Sequence, residues 1–153
     1  MLHALLLHLL SFSVFASGVI GSVAVYLMFR KAVASAPPLL PGLARMFPVF
    51  GIMTSAGLLL MIISGVLLLR SRDWAFWGQS WLTIKLVLIV LLFANAHAWG
   101  RPTGARMAQA LVKGGMPPAE NPEVQGALKS LALFWTVQVI GLVIIVSLAV
   151  LKP

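Results

Sequence analysis

The stretch WLTIKLVLIVLLFANAHAWGR, residues 81–101, decides how this chain is read. From Leu86 to Phe93 every side chain is a large hydrocarbon, yet Lys85 and His97 sit inside the apolar limits set by Trp81 and Trp99. About 20 mainly apolar residues are enough to cross a bilayer as a helix. Working outward, three further windows meet that length, so the candidate spans run over about 5–28, 49–69, 81–99 and 131–151. Composition agrees: 61% of residues are apolar and 9% charged, against roughly 25% charged in a soluble domain. The expectation is a single all-α domain over residues 1–153, an up-down four-transmembrane-helix bundle. Short connections favour antiparallel neighbours, and no internal repeat is visible.

The first window is read as a retained span and not as a secretory signal. It lacks a basic leader, its apolar run exceeds the usual core of about 7–15 residues, and its basic residues follow it. The net charge of +8 is spread between the spans. Arg30, Lys31 and Arg45 follow span one, and Arg101, Arg106, Lys113 and Lys129 separate spans three and four. The second loop and the tails hold only Arg70, Arg72 and Lys152. The positive-inside rule places the first and third loops in the cytoplasm and both termini outside it, in a bacterial inner membrane. The basic excess is thus a topology signal reinforced by anionic lipid, not a nucleic-acid surface. With no cysteine, disulfides and thiolate sites are absent.

The connections carry their own signals. KAVASAPPLLPGLARMFP reads as a loop in which Pro37 and Pro38 end any continuation of helix one. RSRDWAFWGQSW is short and aromatic, an interfacial belt of Trp74, Phe76, Trp77 and Trp81. PTGARMAQALVKGG predicts an amphipathic surface helix. NPEVQ predicts a helix start with Asn121 as N-cap and Pro122 in the first turn. Gly18, Gly21 and Ser22 in span one, and Gly57 and Gly65 in span two, allow close backbone approach. Met53, Gly57, Met61 and Gly65 recur every four residues. That stripe serves either helix packing or a flat groove able to admit a planar macrocycle.

Ionisable groups inside a span are costly and mark functional sites by default. Lys85 could equally snorkel to the interface one turn away, and His97 could bind a headgroup or a carbonyl. Depth limits which of them cooperate. Spans one and three run in the same direction, so His8 and His97 differ by roughly 18 Å in depth at 1.5 Å per residue. One haem iron therefore cannot take both. Two groupings survive. His8 and Lys85 share the outer level, where a lysine with a depressed pKa acts as a base or, when neutral, as a ligand. His97 and Met53 share the inner level with Asn95, Gln138 and Arg30. His with Met suits haem iron, and thioether with imidazole also suits Cu(I).

At these residues the chain resembles a known group. HLLSFSVFASG (8–18) is similar to the H-x6-(W/F)-x2-G opening of the CopD-like and HemJ-like four-span membrane proteins. GLLLMIISGVLLL (57–69) resembles their glycine-bearing second span, and WLTIKLVLIVLL (81–92) their "WL-xx-KL" third span. His97, Gly100 and Arg101 are similar to an H-xx-GR ending. The resemblance covers roughly residues 5 to 101. Ala24 stands where the HemJ-like pattern has arginine, and Tyr26 lies near its tyrosine position. The HemJ-like members are implicated in protoporphyrinogen IX oxidation and bind haem b; the CopD-like members are associated with copper uptake or resistance. The resemblance implies His8 as first-span ligand, Lys85 as the third-span lysine, and His97 with Arg101 at the end of span three.

Three functions follow as expectations. One is a haem b-binding membrane redox protein using His8, Lys85, His97, Arg30 and Arg101. Another is copper handling through His8, His97 and Met53. The third is a non-catalytic subunit packing against membrane protein partners or further copies of itself.

Overall fold

In hydrocarbon no water can satisfy a backbone amide, so a long apolar segment closes its hydrogen bonds within itself as a helix. The computed structural model describes residues 2–35, 37–113 and 116–151, and among them every regular element is helical. These are α1 (Leu2–Ser35), a 3₁₀ turn (Pro37–Leu39), α2 (Leu40–Arg70), α3 (Ser80–Asn95), a π-helical turn (Ala96–Gly100), α4 (Arg101–Lys113) and α5 (Pro122–Leu151). The protein is all-α, with four helical segments long and apolar enough to cross a membrane: Leu2–Ser35, Pro37–Arg70, Ser80–Lys113 and Pro122–Leu151. A segment of 34 residues is about 51 Å long at 1.5 Å per residue. That exceeds a hydrocarbon core of about 30 Å, so each such helix continues past the apolar layer.

The chain divides into two units, residues 1–77 and 78–153. In the first, α1 and α2 form an antiparallel hairpin with backbones in close approach. A Cβ added at Gly18 would lie 2.6 Å from the Thr54 nitrogen, and one at Gly57 2.6 Å from the Phe15 Cα. A Cβ at Gly21 would meet the Phe50 ring. These glycines serve helix packing: the faces that could have floored a macrocycle groove are filled by the neighbouring helix. Toward the turn Phe29, Val33, Leu40 and Leu43 are buried, and Phe29 meets Phe47 edge-on at 5.8 Å.

The proline-rich connection is shorter than the sequence suggests. α1 continues through KAVAS to Ser35, and α2 begins at Leu40. Pro41 falls in the first turn of α2, where a missing N–H costs no hydrogen bond. Pro48 lies inside the helix, on an exposed face. Ala36 lies outside the described residues. At the other end Asp73 and Trp74 adopt φ of 50° and 59°, and the Trp74 N–H donates to Leu69 O, closing the last turn of α2. Trp74 and Trp77 are exposed and edge-to-face, as an interfacial belt requires.

In the second unit α3, the π turn and α4 follow one another without a break, and α5 returns antiparallel beside them. The α5 start is the expected one: Asn121 Oδ1 accepts from the Glu123 and Val124 amides at 2.9 and 3.4 Å. α4 is the expected amphipathic helix, burying Thr103, Met107 and Ala110. Of the stretch from which it was predicted, Gly114 and Gly115 lie outside the described residues. Val124, Ala127, Leu128, Leu131 and Phe134 of α5 complete the core of this end.

Candidate functional site

His8 lies in the second turn of α1 and is half-buried. The antiparallel register brings it opposite Ser64 of α2, and its Nδ1 is 3.0 Å from Ser64 Oγ. Ser64 is fully buried, and its Oγ lies 2.7 Å from Leu60 O and 3.2 Å from Met61 O. A hydroxyl has one hydrogen to give, and here it goes to those carbonyls. With that hydrogen engaged, His8 Nδ1 is the donor toward Ser64. Gly65 leaves room for the imidazole: a Cβ there would sit 3.5 Å from His8 Cε1, an ordinary contact. Sequence reasoning missed Ser64. Only the register shows it: Gly18 pairs with Thr54 and Gly57 with Phe15, which puts residue 64 opposite residue 8.

His97 occupies the π turn between α3 and α4. Its Nδ1 is 2.9 Å from Phe93 O, an atom that can only accept, so the tautomer is again Nδ1–H. The ring rests against Phe93 with centroids 4.0 Å apart. The turn itself is braced by α5. Trp99 Nε1 donates to Ser130 Oγ at 2.6 Å, and Gln138 Nε2 donates to Leu92 O at 3.0 Å. Gly100 lies under Phe134, whose ring would be 2.7 Å from an added Cβ. An isolated π turn is rare and recurs at functional sites. Asn95, expected beside His97, has its Nδ2 buried without a hydrogen-bond partner, as has Trp135 Nε1.

The remaining predicted residues are placed as follows. Lys85 is half-buried one turn after Trp81 in α3, Met53 is half-buried in α2, and Arg30 and Arg101 are exposed. Arg30 lies about 33 Å beyond His8 along α1 at 1.5 Å per residue, so those two cannot grip one small group. Arg101 directly follows the π turn that carries His97. His8 and Met53 belong to the first unit, Lys85 and His97 to the second. Among the described residues no three His, Asp or Glu side chains gather in a metal-holding group.

The fold and these residues define an all-α chain with four helices fit to cross a membrane and two histidines of fixed tautomer. No family model, curated protein or solved structure matches the chain.

Proposed function

We propose that this is an integral membrane protein that binds haem b through His8 and serves in membrane redox chemistry. The reading rests on one observation, the His8 Nδ1–H donated to Ser64 Oγ. A histidine that ligates a metal almost always gives its other N–H to a neighbouring acceptor, which fixes ring orientation and strengthens the coordinating nitrogen. The His8–Ser64 pair has that form, and histidine is a ligand type that suits an axial position on haem iron. When bound, haem would supply one-electron chemistry. The chain's contribution is to orient the ligand through the Ser64 bond. The resemblance to HemJ-like proteins makes tetrapyrrole oxidation the reaction class, with Lys85 as the proton-handling group at the outer level. The same resemblance adds His97 and Arg101, at the end of the third apolar stretch, to the candidate residues. The charge distribution supports an inner-membrane location with both termini outside the cytoplasm.

The test is the optical spectrum of the detergent-solubilised protein. A Soret band is expected, abolished in His8→Ala. Ser64→Ala is expected to weaken haem retention by about 10-fold or more, the usual cost of losing such a supporting bond. A colourless preparation that takes up no haem would end this reading. Copper retained in its place, and lost in His97→Ala and Met53→Ala, would favour copper handling. Neither metal nor colour would leave a subunit that acts by packing alone.

A further inference from the structure

Beyond the π turn, α4 and the first turns of α5 enclose an open groove of about 470 Å³. Thr103, Arg106, Gln109 and Lys113 line it from α4, and Glu123 and Ser130 line it from α5. Neither Lys85 nor His97 of this unit takes part. We infer that this groove binds a phosphate-bearing anion, with the headgroup of an anionic phospholipid as its occupant in the membrane.

Position, chemistry and surroundings carry the inference. Ser130 is hydrogen-bonded to Trp99, the aromatic that closes the third apolar stretch, so the groove's inner end sits where hydrocarbon gives way to headgroups. From Thr103 to Lys113 the α4 wall rises about 15 Å at 1.5 Å per residue, well beyond the headgroup layer of roughly 5–8 Å that borders each side of the core. Arg106 lies partway along that wall and is held to it. Its Nη2 donates to Thr103 Oγ1 at 3.3 Å and its Nε to Pro102 O at 3.4 Å. A guanidinium has five N–H groups in a planar fork suited to phosphate, so two hydrogen bonds to its own helix orient it without exhausting it.

Lys113 adds a second cation at the outer end, and Glu123 is the acidic group of the lining. Beside the cationic face, and beyond Arg101, Ala105 and Ala108 are exposed and Val112 is 87% exposed. A headgroup phosphate entering beside Thr103 and Arg106 would leave its acyl chains pointing into the bilayer. The site rests on the membrane-spanning reading and is independent of haem.

The test uses the full-length protein in detergent and native mass spectrometry, with phosphatidylglycerol, phosphatidylcholine and inorganic pyrophosphate as probes. Preferential retention of phosphatidylglycerol over phosphatidylcholine is expected. Arg106→Gln is expected to weaken it about fivefold, the usual worth of one basic residue near an anionic surface, and Lys113→Gln by less. Glu123→Gln is expected to strengthen it, an outcome that misfolding cannot mimic. Arg70→Gln, in the first unit, should leave it unchanged. Pyrophosphate that competes at equal concentration would assign the site to a soluble phosphate, whereas pyrophosphate that fails to compete keeps the lipid. Equal retention of both lipids together with no effect of Arg106→Gln would overturn the proposal.

Discussion

The two hairpins solve one problem by different means. In lipid there is no hydrophobic force to press helices together, so contact must come from close packing or from hydrogen bonds. The α1–α2 hairpin packs backbone to backbone, with Gly18 against Thr54 and Gly57 against Phe15. A polar tie joins the two helices from His8 to Ser64, and that tie orients a histidine. The α3–α5 hairpin places Gly100 under the Phe134 ring and Gly141 under the Leu92 side chain, so rings and branched chains fill the gap. It relies on Trp99–Ser130 and Gln138–Leu92 to hold position. α3 correspondingly buries little of itself, with Leu82 its one buried residue. A hairpin closed by backbone contact has no slack. One closed by side chains can shift, and it is the one that contains the π turn.

Substitutions at the glycines test this contrast most severely. Gly57→Val would drive a side chain into the Phe15 backbone, which cannot yield without moving α1. A loss of about 3 kcal/mol or more is expected, at the upper end for overpacking, read by denaturant unfolding in mild detergent. Gly51, on the same helix, has nothing within 4 Å of an added Cβ. Gly51→Ala should therefore be neutral or stabilising by about 0.5–1 kcal/mol. If the two behaved alike, the backbone-packed account of the first hairpin would be wrong.

Gly100→Ala sharpens the other side of the comparison. The atoms it meets belong to the Phe134 ring, which can rotate, so a smaller cost of about 1 kcal/mol is expected. A cost as large as that of Gly57→Val would show a second hairpin as rigid as the first. The smallest effect is expected from Gln138→Leu. It removes the hydrogen bond to Leu92 O, and such bonds within a membrane average about 0.6 kcal/mol. Its more telling readout is local: amide exchange at residues 96–100 should accelerate if the bond braces the π turn.

Much of the architecture was legible along the chain. The four apolar runs, the Asn121-Pro122 start of α5 and the amphipathic 101–113 segment depend on local pattern, and each is found as expected. Pro37 and Pro38 do mark the end of α1, but the loop around them was read as too long. Pro41 in a first turn, together with an alanine-rich approach from Lys31 to Ser35, permits helix on both sides of a single tight turn. The candidate site was legible only in part. His8, His97, Lys85 and Met53 stand out because titratable or metal-binding groups are conspicuous among aliphatic residues. Ser64 does not, since a serine inside a span usually hydrogen-bonds its own preceding turn, and Ser11, Thr136 and Ser147 do just that.

What the sequence alone determined is which segments are helical and fit to meet lipid, because backbone self-satisfaction and apolar length are properties of contiguous residues. What only the tertiary structure decided is the pairing of His8 with Ser64 and the use of the glycines. It also decided that α3 and α4 join through a π turn above a cationic groove. Those outcomes depend on atoms from helices distant in sequence arriving within 3 Å of one another, and helix register, not composition, controls that approach.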